Sequence, residues 1–269
     1  MGAYIAIDAV NISTLKEIWR ASPKHYRHAL ERPKVATPAM LLGTAVHMAV
    51  LEPDRFYSHY VIRPSDIDGR TKEGKAWLAA NAGRDVLTHQ MSETCADMRA
   101  AVAEHPVAAR WLSSGQPEVI LQWTDEDTGV ACKGRADWIS ADGSLVGLKT
   151  GKDVTDERAF GRQAAALGYH LQWAYYYDGL CALGRKPPSV IEIAVDSDDV
   201  HDVCVWEIDD ETLDAGRDAY RSALVTLAQC RERNEWPGRA PAVKLFRLPA
   251  YALPDDSDDL SDLDFGGAA

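Results

Sequence analysis

The sequence lacks closely spaced cysteines, long apolar runs and an excess of basic residues. Its five cysteines contain no CxxC pair, which argues against a zinc knuckle, an iron–sulfur cluster or a disulfide scaffold and suits a reducing cytoplasm. No apolar run reaches membrane-spanning length, and the N-terminus lacks the basic-then-apolar pattern of a signal peptide. We therefore expect a cytoplasmic protein with no membrane contact.

The formal net charge is −12, which at face value disfavours a nucleic-acid partner. Six aspartates, however, lie in the short stretch from Asp255 to Asp264. Because whole-chain charge reports on solubility more than on a binding site, any DNA contact would require a local basic patch.

The 269 residues are 46% hydrophobic, enough for one sizeable domain, which we place at residues 1–252. Residues 253–269 are acidic and end in Gly and Ala, which predicts a disordered tail.

Local patterns predict an α-then-β-then-α order. A helix behind a Ser13 cap should break near Pro23, an apolar helix should be closed by Pro53, and another should begin at about Lys72. The later elements are a β-hairpin within "PEVILQWTDEDTGVACKGRADWIS", a long helix over residues 156–182, strands at "SVIEIAV" and "VHDVCVWEI", and a helix from Glu211 to Arg233.

One stretch, "RADWISADGSLVGLKTGKD", reads as two strands around an Ala-Asp-Gly turn. Asp137 and Lys149 could converge at one end of a sheet. A carboxylate there could hold a hard cation such as Mg²⁺, and a lysine could orient or deprotonate a metal-bound water. The alternative is an ordinary hairpin with one solvated acid and one solvated lysine.

Two further features suggest a site. "GTAVH" places His47 in a strongly apolar helix, and "QWAYY" places Gln172 and Tyr176 four residues apart on one helix face. Each has a structural explanation as well, because a histidine in an apolar helix is usually a core residue. An aromatic stripe such as Tyr169, Trp173 and Tyr176 is likewise usually core packing.

The order of these motifs resembles that of RecB-like nucleases in the PD-(D/E)xK superfamily, and most closely the RecE-like phage and prophage exonucleases. The residues that carry the resemblance lie between about 10 and 250: "SPKHY", "GTAVHMAVLEPDRF", "RTKEGK", "CKGRADW", "LKTGKD", "GYHLQWAYYYDGL" and "NEWPG". The resemblance implies an α/β restriction-endonuclease-like fold, a mixed central sheet flanked by helices. It also implies a 5′-to-3′ exonuclease that degrades linear duplex DNA and leaves 3′ single strands.

Roles follow from the resemblance, residue by residue. His47, Asp137 and Glu118 match metal-binding positions, with the Leu148 carbonyl completing the shell around Mg²⁺ or Mn²⁺. Lys149 matches the catalytic lysine. Gln172 and Tyr176 match positions that support the site and touch DNA. Arg70, Lys72 and Lys75 could meet backbone phosphates, or could form a solvated basic loop.

Gly147 departs from the pattern, because family members normally have Asp there, as in "VDLKT" in place of "VGLKT". The chain could be an engineered inactive form or a natural copy with impaired catalysis. Alternatively, Glu118, Asp142 or Asp153 could serve the metal. We favour a lost carboxylate over compensation, and this predicts that Gly147→Asp raises cleavage by at least about two orders of magnitude.

The sequence thus predicts a metal-dependent exonuclease acting on double-stranded DNA ends. The resemblance implies a ring-shaped homo-oligomer and a single-strand annealing recombinase (RecT-like) as partner, which the acidic tail could help recruit. The alternatives are a catalytically silent DNA-end-binding or recombinase-loading protein, and a structure- or sequence-specific endonuclease on the same fold.

Overall fold

A computed structural model describes residues 2–32, 36–240 and 242–249 of the chain. The helices within these ranges are α1 (Gly2–Ile5), α2 (Ile12–Arg20), α3 (Pro23–Glu31), α4 (Pro38–Leu51), α5 (Pro53–His59), α6 (Lys72–Ala80), α7 (His89–Glu104), α8 (Pro106–Leu112), α9 (Glu157–Leu167), α10 (Tyr169–Ala182) and α11 (Asp210–Arg233). The strands are β1 (Tyr60–Ile62), β2 (Asp85–Leu87), β3 (Gly115–Thr124), β4 (Ala131–Ser140), β5 (Leu145–Gly151), β6 (Val190–Asp196) and β7 (Val203–Glu207).

The central sheet has five strands in the order β3-β4-β5-β6-β7. Strands β3, β4 and β5 pair antiparallel in succession, β5 and β6 are parallel, and β7 is antiparallel to β6. Strands β1 and β2 form a separate parallel pair. The expected mixed central sheet flanked by helices is confirmed.

The turn between β4 and β5 explains why the stretch around Asp137 folds back on itself. Asp142 accepts a hydrogen bond from the backbone N–H of Ser144 at 2.9 Å, and Gly143 adopts a φ of 89°. A φ in this range favours glycine, and a short Asx side chain stabilises such a turn. The turn therefore sets Asp137 and Lys149 on adjacent strands, as the sequence predicts.

Helices cover both faces of the sheet. On one face, buried residues of α4 and α7 pack against Leu148 and Ile193 of the central strands. On the other face, Phe160 of α9, Trp173 of α10 and Leu213 of α11 pack together. The buried central strands β5 and β6 thus lie between two helical layers.

Two details differ from the sequence-based prediction. The single helix expected over residues 156–182 is two helices, because Gly168 adopts a left-handed conformation (φ 64°, ψ 44°) that ends α9 and begins α10. The N-cap of α2 is Asn11 rather than Ser13, since the Asn11 side chain accepts from the backbone N–H of Thr14 at 2.9 Å.

None of the described helices is long and apolar enough to cross a membrane. The acidic tail predicted at residues 253–269 lies outside the described residues.

Candidate active site

Three side chains from three elements converge beside the sheet. His47 of α4, Glu118 of β3 and Asp137 of β4 each place one ligand atom within 4.8 Å of the other two. These three side chains are the candidate metal-binding group. The His47 Nδ1 lies 3.9 Å from the Asp137 Oδ2. Two ligands on opposite sides of one Mg²⁺ are about 4.2 Å apart, so the group has nearly the spacing of a single-ion site.

Strand register explains why Glu118 and Asp137 meet. They lie opposite each other between the paired positions Pro117–Trp138 and Val119–Ala136, so their side chains share one face. Glu118 has a φ of 53°, which is unusual for a residue with a side chain. Such backbone strain costs on the order of 1–3 kcal/mol and is concentrated at functional sites.

His47 reaches the sheet because α4 approaches it closely at Gly43. A Cβ on Gly43 would lie only 3.1 Å from the Thr150 Oγ1 on β5. One turn later, the imidazole of His47 hydrogen-bonds the Leu148 backbone. Metal-binding histidines are commonly oriented through a backbone carbonyl in this way.

Burial tunes the protonation of these ligands. It lowers the pKa of His47, with the Asp137 carboxylate opposing the shift, so the imidazole is neutral and can coordinate a metal. Burial also raises the pKa of Glu118 to about 7, although Arg135 lowers it by pairing with the carboxylate at 2.7 Å. A bound cation would favour the charged form of Glu118.

Lys149 stands at the centre of the site. Its Nζ lies 4.0 Å from the Asp137 Oδ2, 3.4 Å from the Glu192 Oε1 and 3.5 Å from the Leu148 carbonyl oxygen. Burial lowers its pKa, but Glu192, Asp137 and Tyr169 together outweigh burial, and the net pKa is raised. Lys149 therefore stays protonated, which fits charge stabilisation and disfavours the expected alternative of deprotonating water.

The site opens into a cleft of about 670 Å³ between α4 on one side and β3 and β4 on the other. The cleft walls carry the cations Arg55 and Arg135 as well as His47, Glu118 and Asp137. Arg135 and Arg55 are paired with Glu118 and Glu52, so the cleft mixes both charges. This mixture can accept a phosphate and a cation side by side.

The fold and sequence match a described family. Residues 11–249 match the model of a PDDEXK-like domain of unknown function (DUF3799). The chain belongs to this PDDEXK-like family. Its mixed sheet is thus a PD-(D/E)xK nuclease-like fold, in agreement with the sequence-based resemblance at superfamily level.

A solved structure shares this fold. A crystal structure at 2.19 Å of a "Putative exonuclease" from Eubacterium rectale superposes with a TM-score of 0.64, at 13% identity over 90% of each chain. The structure of SSO0001 gives a TM-score of 0.29, at 12% identity over 78% of this chain and 83% of that one, too low to support an argument. No protein of curated function matches the sequence.

The PDDEXK-like pattern places an acid two residues before the lysine, at Gly147. The space beside Gly147 is filled: a Cβ there would lie 2.5 and 2.6 Å from the two carboxylate oxygens of Glu192 on β6. The acids considered as replacements behave differently. Asp142 is held in the turn by Ser140 and Ser144, away from the site.

The other two candidate acids are also accounted for. Asp153 follows β5 at a φ of 55° and is absent from the candidate metal-binding group, the one such group found among the described residues. Glu118 belongs to that group but is ion-paired with Arg135. Neither fills the space beside Gly147.

Two residues of helix α10 lie beside the strands that carry the site. Gln172 lines a small space of about 10 Å³ that is shared with Asp137, Lys149 and Glu192. Tyr176 hydrogen-bonds the Arg135 backbone, and burial raises the pKa of its phenol. Tyr176 thus contacts the strand that carries Asp137, while site support and DNA contact by Gln172 and Tyr176 stay predictions.

The predicted basic segment lies elsewhere. Arg70 is exposed and forms a bidentate pair with Asp68, while Lys72 and Lys75 lie on the exposed first turn of α6. None of the three lines the cleft at the metal-binding group. Their role as phosphate contacts stays a prediction.

Sequence reasoning missed Glu192, Trp173 and Arg135. The indole Nε1 of Trp173 donates a hydrogen bond to the Glu192 Oε2, so an aromatic assigned to core packing touches the site. The available signal for Glu192 was a lone acid in the otherwise apolar run "SVIEIAV". Arg135 lies in the motif "CKGRADW", from which the sequence predicts a role for Asp137 alone.

Proposed function

We propose that this protein is a metal-dependent exonuclease that degrades linear double-stranded DNA from 5′ to 3′ and leaves 3′ single strands for recombination. The observation that carries the proposal is the convergence of His47, Glu118 and Asp137 next to Lys149, at the wall of an open cleft. Neither a solvated hairpin nor a core histidine requires these four groups to meet.

The chain's own residues divide the chemistry among them. His47, Glu118 and Asp137, together with the Leu148 carbonyl, would hold a Mg²⁺ or Mn²⁺ ion. Such an ion supplies a more acidic water and positive charge that offsets the charge of the phosphate. Protonated Lys149 would donate to the oxygen on which charge develops, and Arg135 offers a second cation on the cleft wall.

The polarity of digestion and the partners follow from the family resemblance. We propose a homo-oligomeric ring that acts on double-stranded DNA ends, and delivery of the resulting 3′ strand to a RecT-like annealing recombinase. Because an exonuclease needs an end, linear and closed circular duplexes distinguish it from an endonuclease on the same fold.

The test is digestion of three substrates with Mg²⁺ or Mn²⁺: 5′-labelled linear duplex, 3′-labelled linear duplex and covalently closed circular duplex. We expect early release of the 5′ label, late release of the 3′ label and no change to the circle. Asp137→Asn serves as the inactive control. Nicking of the circle would replace the proposal with an endonuclease.

Gly147 favours a second candidate, a catalytically silent protein that binds DNA ends or loads the recombinase. This candidate predicts end binding without cleavage in either metal. Binding to linear duplex with no label released, at protein concentrations that saturate the DNA, would establish it.

A further inference from the structure

Residues 147 and 192 are neighbours across the parallel strands β5 and β6. The strand register pairs Gly147 with Glu192, so their side-chain positions project from the same face of the sheet. The carboxylate of Glu192 leans over Gly147, where its oxygens lie 2.5 and 2.6 Å from the place of a Cβ. Only a glycine at position 147 leaves this space to Glu192.

The environment of Glu192 is unusual for an acid. Its side chain is fully buried, every residue of β6 is buried, and Ile191 and Ile193 on either side belong to the core. An unpaired charge in such a place is strongly unfavourable. The carboxylate is instead held from two sides, by the indole of Trp173 and by the ammonium group of Lys149 at 3.4 Å.

Lys149 joins Glu192 to the metal-binding group. Its ammonium group lies 3.4 Å from the Glu192 Oε1 and 4.0 Å from the Asp137 Oδ2, so one cation bridges two carboxylates from β6 and β4. Glu192, Asp137, Lys149 and Gln172 also border one small space beside Gly147. A carboxylate, a lysine and a second carboxylate are the three groups that the PD-(D/E)xK pattern requires.

We propose that Glu192 supplies, from β6, the central carboxylate that the family pattern places at residue 147 on β5. Relative to the family pattern, the acid then lies on the neighbouring strand β6, and its carboxylate is still beside Lys149. This inference rests on the proposed metal-dependent function and names a further residue of that site. It replaces the expectation that the site has simply lost a carboxylate.

The pairing accounts for two residues that are each unfavourable alone. Glycine within a buried strand packs nothing and weakens the strand. A buried ion pair often contributes less stability than apolar residues of similar volume. Neither Gly147 nor Glu192 improves the packing of the core. Together, however, they place one carboxylate beside Lys149 without a steric clash between positions 147 and 192.

The first experiment compares Mn²⁺ affinity and cleavage of linear duplex for the full chain and for Glu192→Gln. Mn²⁺ binding is followed by its electron paramagnetic resonance signal. We expect at least about a tenfold loss of affinity, as is typical when a group supporting a metal site is removed. Folding is checked by circular dichroism, and Glu207→Gln on the adjacent strand β7, outside the metal-binding group, is the matched control.

The second experiment moves the carboxylate back to β5. Gly147→Asp/Glu192→Ala keeps the number of acids constant and should restore Mn²⁺ affinity to within about threefold of the parent. Glu192→Ala alone should not restore Mn²⁺ affinity. If Glu192→Gln does not fold, this double variant decides, because it carries an acid beside Lys149 without Glu192.

Parental Mn²⁺ affinity in folded Glu192→Gln would overturn the inference and leave Glu192 as a counter-ion of Lys149 only. A folded double variant that does not regain affinity would overturn it too. The proposed function is judged separately. A parent chain that binds Mn²⁺ but never cleaves DNA refutes the nuclease, while the affinity measurements still decide the role of Glu192.

Discussion

An aspartate at position 147 would have to share its space with the Glu192 carboxylate, whose oxygens lie 2.5 and 2.6 Å from the site of a Cβ. Overpacking of this kind typically costs about 1–3 kcal/mol. We therefore expect Gly147→Asp alone to lower the free energy of unfolding by that amount and to give no gain in cleavage. This reverses the gain of two orders of magnitude that the sequence predicts.

Urea unfolding and digestion of 5′-labelled duplex measure the two effects. Gly161→Asp is the matched control, because a Cβ on Gly161 in helix α9 meets nothing within 4 Å. A tenfold or greater increase in cleavage by Gly147→Asp would show that the site tolerates both acids.

We expect a variant of Lys149 to lose cleavage while keeping metal binding. Replacing it with Met removes the cation that we expect to meet developing charge, and losses of about two to three orders of magnitude follow removal of such a donor. Mn²⁺ affinity should be kept or increased, since the positive ammonium group lies 4.0 Å from the Asp137 Oδ2, which we propose as a metal ligand.

The free energy of unfolding of Lys149→Met must be measured alongside its cleavage rate. Lys149→Met leaves the buried Glu192 carboxylate with the Trp173 indole alone, and breaking a buried pair costs about 3–5 kcal/mol. Cleavage is therefore compared well below the unfolding temperature. Parental cleavage by this variant would remove Lys149 from the catalytic machinery.

At the scale of elements, the sequence predicted what local chemistry determines. The hairpins, the strand at Val190–Asp196 and the helix from Asp210 follow from alternation, turn residues and caps. The break at Gly168 was missed because both halves have helical apolar spacing and only the left-handed glycine separates them.

The placement of Glu192 beside Gly147 could not be predicted from local pattern. It depends on the parallel pairing of β5 and β6, which are separated in sequence by two helices. The sequence singled out His47, Asp137 and Lys149 because each lies in a motif of the resemblance, and Glu118 because it is an acid on a predicted strand. Glu192 lies in no such motif.

Helix α4 must approach β5 closely for His47 to reach the Leu148 backbone, and Gly43 permits this approach. Gly43→Val would push the helix away from Thr150 and displace the imidazole. We expect about a tenfold loss of Mn²⁺ affinity, comparable to the loss of a group that orients a metal ligand. Gly161→Val in α9 is the control, and equal affinities for both variants would refute the role of the approach.

Helix α2 carries a buried cation, Lys16, with its Nζ 5.9 Å from the Tyr169 ring. Burial, together with the charges of Lys149 and Arg20, lowers its pKa to about 7, although Glu192 opposes the shift. One pKa unit corresponds to about 1.4 kcal/mol, so even half of this shift amounts to about 2 kcal/mol. Lys16→Met should raise the free energy of unfolding by about that amount at pH 7.

The stability gained by Lys16→Met should depend on pH in one direction. The unfolded lysine keeps its proton up to about pH 10, so between pH 7 and 10 the unfolded state binds more protons and the parent gains stability as pH rises. The advantage of Lys16→Met should shrink over that range in urea titrations. The exposed Lys24→Met is the control, and a constant difference across pH would contradict the assignment.

At the scale of the whole molecule, the net charge of −12 opposes DNA binding, and the six aspartates of the tail contribute half of it. Truncation after Pro254 should leave cleavage of naked DNA unchanged, or raise it slightly at low salt, because screening is weak there. It should also weaken co-purification with an annealing recombinase. Undiminished co-purification would leave the tail with a solubilising role.

The close approach of positions 147 and 192 also constrains how such a protein can arise by mutation. In an ancestor with an aspartate at position 147 and an apolar residue at position 192, acquiring the glutamate first brings two carboxylates into one space. Losing the aspartate first leaves space beside position 147 but no carboxylate next to Lys149. We therefore expect the two substitutions to show sign epistasis, so that homologous chains exchange them as a pair. A search for the acid-x-Lys signature along one strand would pass over every descendant of that exchange.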